Sequence, residues 1–129
     1  MVGEQLPPSW NVAPTQEVRA VLERTPRDIP DADPVRQLRT VRWGLVPSWA
    51  KDRKVGHKLI NARSETILEE SSFKAAAARR RCIVPADGYF EREKRGGQKV
   101  PHFLHPEGED QVLVMAGLYE LWPRPQRRG

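Results

Sequence analysis

The stretch CIVPADGYFEREKRGGQKVPHFLH, Cys82 to His105, decides the fold. Its first half reads as two extended pieces around the turn Pro85-Ala86-Asp87-Gly88. Tyr89, Glu91 and Glu93 take one face of the second piece, and Phe90 and Arg92 take the other, which is the period of a strand. RGGQ is then a hairpin turn into KVPHFLH. PEGED turns the chain again into QVLVMAGLYELW, residues 111–122. Extended pieces joined by tight turns predict an antiparallel, mainly β architecture.

Upstream segments agree with that frame. EVRAVLER (Glu17 to Arg24) reads as a strand rich in valine. TPRDIPDADP is a loop punctuated by Pro26, Pro30 and Pro34. In VRQLRTVRWGLVP, Val41, Trp43 and Leu45 alternate with Arg42 and Gly44, a second strand expected to stop at Pro47. SWAKDRKVGH is a polar loop with a short helical turn, and HKLINAR reads as a short strand. Ser64 to Glu70 forms a turn or two. SSFKAAAARRR is the clearest helix: Ser71 or Ser72 caps it, alanines favour it, and arginines crowd its C-terminal end, where the dipole favours cations. The opening MVGEQLPPSWNVAPTQ is an irregular surface arm, and PRPQRRG (123–129) is a tail without apolar content. The expectation is one α+β domain over 1–129, mainly antiparallel β with a few flanking helices.

Composition bounds the function. The 129 residues have room for one modest core. A 38% hydrophobic fraction with 30% charged residues fits a folded domain that is not a membrane protein. No apolar run approaches a membrane span, and with no export signal the cytoplasm is the expected compartment. A lone cysteine, Cys82, forbids an internal disulfide. The net charge of +5, mostly arginine, leans toward a polyanion.

Candidate chemistry is sparse when taken residue by residue. His57, His102 and His105 lack the spacing of a helical zinc pair, so neither a metal nor a cofactor is expected. Cys82 follows three arginines, which lower a thiol pKa, but it opens an apolar strand where a free cysteine is a small buried hydrophobe. Glu91 shares a face with Tyr89. Desolvation there would lift its pKa toward acid/base use, while the plainer reading is a solvated strand face. Arg42, Arg63, Trp10, Trp43, Trp49 and Pro14 are the ingredients of a single-stranded nucleic-acid groove, basic with stacking platforms. Of the tryptophans, Trp43 reads as core and Trp49, on a loop, as the stacking platform. Arg79-Arg80-Arg81 reads as a solvated helix end.

Five segments change these weights: WNVAPT (Trp10 to Thr15), RWGLVPSWAKD (Arg42 to Asp52), INARSET (Ile60 to Thr66), SFKAAAARRRCIVPADGYFE (Ser72 to Glu91) and MAGLYELW (Met115 to Trp122). In this order they resemble the SOS response-associated peptidase (SRAP) family, over about residues 10–122. The resemblance implies a compact barrel-like β domain of the DNA-damage response. It implies a protein that recognises abasic sites in single-stranded DNA and crosslinks to them. There an N-terminal cysteine, freed by loss of the initiator methionine, condenses through amine and thiol with the opened sugar aldehyde to a thiazolidine. The same cysteine is linked to self-cleavage of the preceding peptide. By motif, Asn61 orients the sugar and Arg63 holds a phosphate. Glu91 shuttles protons, Asn11 and Pro14 line the DNA channel, and Trp49 stacks or wedges at the lesion. Arg42, read above from composition and not from the resemblance, completes the DNA-binding set.

The sequence departs from that pattern at both ends. It opens Met-Val-Gly-Glu where the family has Met-Cys-Gly-Arg, and it stops before the family's His-Asp-Arg-Met-Pro segment. These departures predict a partial SRAP domain, a fragment or a mis-bounded reading frame. Enzymatic activity is uncertain on this reading. The alternatives are an inactive single-stranded DNA-binding remnant and, more weakly, a peptidase acting on other proteins. Open sheet edges predict a poorly soluble or dimerising product.

Overall fold

The computed structural model describes residues 6–26 and 28–122. The first five residues of the expected arm and the 123–129 tail fall outside them. The architecture is two antiparallel sheets with little helix. β1 (Glu17–Arg24) and β2 (Val35–Arg42) pair along their whole lengths, from Glu17 opposite Arg42 to Arg24 opposite Val35. β3 (Arg81–Ala86) joins β1 at Val21 and Ile83, and β6 (Leu113–Leu118) pairs with β3. The order is β2-β1-β3-β6, an open sheet whose edges are β2 and β6. β4 (Tyr89–Arg95) and β5 (Gln98–Leu104) form a separate two-stranded sheet. Gly96 and Gly97, at φ +57° and +79°, make its turn, the double positive φ that tight hairpins require.

Alternation explains the first sheet. Ala20 and Leu22 of β1 and Cys82 of β3 turn one face inward, where they meet Tyr119, with Val41 and Val84 packed alongside. A second cluster of Leu45, Phe73 and Ala76 gathers Leu59, Ile67 and Leu118. It seats α1 (Lys74–Arg79) and pulls the loops after β2 onto the sheet. No large side chain among the described residues is fully buried.

Four local expectations are corrected. The second strand ends at Arg42, not at Pro47, because Gly44 turns the chain at φ +127°. HKLINAR is not a strand: the helical turn Arg53–His57 runs up to it, and Leu59 and Ile60 are clamped individually, as described below. Neither Ser71 nor Ser72 caps α1; Phe73 holds the cap position, buried in the second cluster, and no side chain caps the helix. Pro85 and Ala86 belong to β3, so the break before β4 is only Asp87-Gly88.

Candidate nucleic-acid interface

One corner of the four-stranded sheet collects most of the singled-out residues. The arm enters it first. Its Ala13–Gln16 turn closes on itself, with Gln16 N donating to the Ala13 carbonyl and the Ala13 N–H donating to Gln16 Oε1 at 2.9 Å. Thr15 N donates to the Trp43 carbonyl and Trp43 N to the Gln16 carbonyl, which prolongs the β1–β2 ladder. Thr15 sits at φ +75°, an outlier for a β-branched residue that costs about 1–3 kcal/mol. Asn11 and Pro14 are exposed on this arm, and Trp10 is 92% exposed.

Next comes the crossing behind Arg42-Trp43. A Cβ on Gly44 would lie 2.5 Å from the Gly56 carbonyl oxygen, so the loop after β2 and the Arg53–His57 turn touch backbone to backbone. Leu45 N donates to the Leu59 carbonyl at 3.0 Å, and the Trp43 indole N–H donates to the Ile60 carbonyl at 2.8 Å. Leu59 is thereby drawn into the apolar cluster and Ile60 pinned. Asn61 and Arg63 emerge exposed, and neither side chain is bonded to another described residue. Trp43 is half-buried but joins neither core cluster, and its indole N–H holds the Asn61 loop.

Trp49 stands on the Pro47–Ala50 turn, 59% exposed. The turn is fixed by buried Ala50, whose carbonyl accepts from the Trp122 indole N–H at 2.9 Å. An exposed aromatic on a pinned turn has little conformational freedom to lose if a ligand stacks on it. Arg42 is half-buried at the end of β2. Its Nε donates to the Thr15 carbonyl and its Nη2 to His57 Nε2, both at 3.3 Å.

Glu91 is placed apart. It lies on β4 opposite His102, and every residue of β4 is exposed. This is the solvated strand face of the plainer reading, without the desolvation that would favour acid/base use. His102 and Arg95 instead bond Glu93, at 2.8 and 2.9 Å. His105 bonds the Pro106 carbonyl and stacks on Phe103. No group of three or more His, Cys, Asp or Glu among the described residues is arranged to hold a metal. Cys82 is buried, and burial pushes its thiol pKa up, the opposite of nucleophile activation.

Two features escaped the sequence reading. Arg53, Lys54 and His57 line a groove of about 580 Å³ with Thr15, Glu17, Arg42 and Asp52; the only signal was the basic character of DRK in a polar loop. The arginine run is also not merely solvated: Arg80 pairs with Glu120 at 2.8 Å, largely shielded from solvent, and Arg81 Nε donates to the Ala77 carbonyl.

The family model described as SOS response associated peptidase (SRAP) matches residues 1–128. The chain is 38% identical over 120 residues to the abasic site processing protein YoqW of Bacillus subtilis, covering 92% of this chain and 50% of that protein. It is 35% identical over 140 residues to the abasic site processing protein HMCES of Gallus gallus, covering 92% of this chain and 42% of that one. The chain thus spans about half the length, or less, of the curated relatives it matches. A crystallised protein from Bacteroides thetaiotaomicron superposes at a TM-score of 0.57 with 34% identity, over 63% of this chain and 36% of that one. No helix among the described residues is long and apolar enough to cross a membrane.

Proposed function

From the premise that the chain belongs to the SOS response associated peptidase family, we propose that it is the DNA-holding part of an abasic site processing protein. Its ligand is single-stranded DNA carrying abasic sites, and its place is the cytoplasm, at the nucleoid when bound. One observation carries the reading: the arm, the Arg42-Trp43 pair and the Asn61–Arg63 loop are tied together by backbone bonds and the Trp43 indole, while Asn61, Arg63 and Trp49 stay exposed with no side-chain bond to another described residue. Such a site is built for a ligand rather than for its own stability.

In this reading Arg63 holds a phosphate and Asn61 orients the abasic sugar. Trp49 stacks where the missing base leaves a gap, and Asn11 and Pro14 wall the channel. An abasic nucleotide stacks poorly, so drawing it out of line costs little. In the full reaction of the family, an amine and a thiol held together attack the opened aldehyde, proximity replacing a bimolecular encounter. Glu91 is the proton shuttle, brought to the sugar with the β4–β5 hairpin when DNA binds.

A second reading has its own observation. The one thiol within these 129 residues is Cys82, buried and with its pKa raised. Residues 1–129 by themselves would then hold abasic DNA without bonding to it. Incubation with an abasic single strand, followed by a denaturing gel and a native binding assay, separates the two. Native binding with no denaturation-resistant adduct supports the holding module; an adduct on this chain sinks it. Failure to prefer single-stranded over duplex DNA sinks both.

A further inference from the structure

We propose that the groove between the arm, the end of β2 and the Arg53–His57 turn is a second phosphate seat, taking one phosphodiester of the bound strand. The proposal rests on the DNA-holding reading above and adds a contact that the resemblance does not assign. The groove, of about 580 Å³, is lined by three cations, Arg42, Arg53 and Lys54, and two carboxylates, Glu17 and Asp52. None of the five forms an ion pair among the described residues. Asp52 Oδ1 is engaged by the Lys54 backbone N–H at 2.9 Å. Glu17 stands opposite Arg42 in the ladder. The formal excess is one positive charge, the complement of a single phosphodiester.

Arg42 anchors the seat. Its two bonding partners, the Thr15 carbonyl and His57 Nε2, orient the guanidinium, and neither is a carboxylate that would neutralise it. A half-buried cation without a carboxylate partner keeps its field for an incoming anion. The accepting carbonyl belongs to Thr15, the residue at φ +75°. Arg53 and Lys54 are exposed beside it and can close over a phosphate. Their fork and point charge are the two usual means of gripping one.

The test is the salt dependence of binding of the 129-residue chain to a fluorescent mixed-sequence single strand. Arg53→Ala/Lys54→Ala should weaken binding at low salt and make the log K against log salt slope shallower by about 0.7, the value for one single-strand phosphate contact. Lys74→Ala/Arg79→Ala on α1 removes the same charge and should leave the slope unchanged. Glu17→Gln should tighten binding. Far-UV circular dichroism confirms that each variant is folded. Equal losses in the two double variants would overturn the seat in favour of bulk charge. An unchanged groove variant, with Arg63→Ala and Trp49→Ala both weakened, would overturn the seat and leave the proposed function standing. No binding by the unaltered chain overturns both. If inorganic phosphate at constant ionic strength erases the difference between groove variant and unaltered chain, the seat takes free phosphate and the inference fails.

Discussion

The four-stranded sheet and the β4–β5 hairpin obey the same local rules and end in opposite conditions. Both are antiparallel, both alternate, and both turn where the sequence puts glycine or proline. In the sheet, alternation buries Ala20, Leu22 and Cys82 against Tyr119. In the hairpin it buries nothing: Phe90, Phe103 and Leu104 remain 52%, 47% and 41% exposed. Strand pairing alone therefore does not make a core; a second layer does. The candidate residues divide along the same line. Asn61, Arg63, Arg42 and Trp49 hang on the packed corner, whereas Glu91 rides the uncovered hairpin. A phosphate or sugar contact needs a fixed platform, while an acid/base group can be carried to its substrate by a moving one.

The strongest blow to the packed side is Gly44→Val. The added side chain meets the Gly56 carbonyl and must adopt φ +127°, so urea denaturation should show a loss of roughly 3–4 kcal/mol. Asn61-dependent DNA binding should fall with it. Glu120→Ala comes next. It leaves the shielded Arg80 guanidinium without its partner at a cost of about 3 kcal/mol, also read by denaturation.

Cys82 offers a smaller, pH-dependent check. Its thiol pKa is raised in the folded state by desolvation, so burial favours the neutral form. The contribution is fully present below the ordinary value of 9.0 and is lost as pH rises through the elevated folded pKa. Stability relative to Cys82→Ala should therefore decline only above about pH 9.0. Labelling by a thiol reagent should be slow until the chain is unfolded.

The smallest effect belongs to the hairpin. Phe90→Ser loosens the Phe90–Phe103 contact, whose ring centres are 5.1 Å apart. It should change the unfolding of the sheet by less than about 0.5 kcal/mol, with hairpin amides exchanging faster than those of β1 and β3. A loss comparable to that of Glu120→Ala would show that the hairpin is packed, and the contrast between the two regions would collapse.

Much of this division is legible in local chemistry. The bounds of β1, the Gly96-Gly97 turn and the helical character of the alanine run all follow from short-range rules. The end of β2 does not, because Gly44 is needed for an encounter with Gly56, twelve positions on. LINAR resembles a strand by composition, but its order comes from the Leu45 N–H and the Trp43 indole, not from a ladder. The exposure of Glu91, by contrast, agrees with the plainer reading of its strand. Sharing a face with Tyr89 desolvates a carboxylate only if something lies on that face.

By itself the sequence determined the mainly antiparallel β character, the Gly96-Gly97 turn, the family, and the residue types proposed to meet a phosphate and an abasic sugar. Those depend on backbone propensity, alternation and composition, which act over a few residues or accumulate along the chain. Only the tertiary structure decided that Trp43 positions the Asn61 loop, that Arg42 is oriented by the Thr15 carbonyl and His57 at a basic groove, and that Arg80 and Glu120 pair 40 residues apart. Each depends on which distant backbone or side chain comes within bonding distance, and the pattern along the chain does not carry that information.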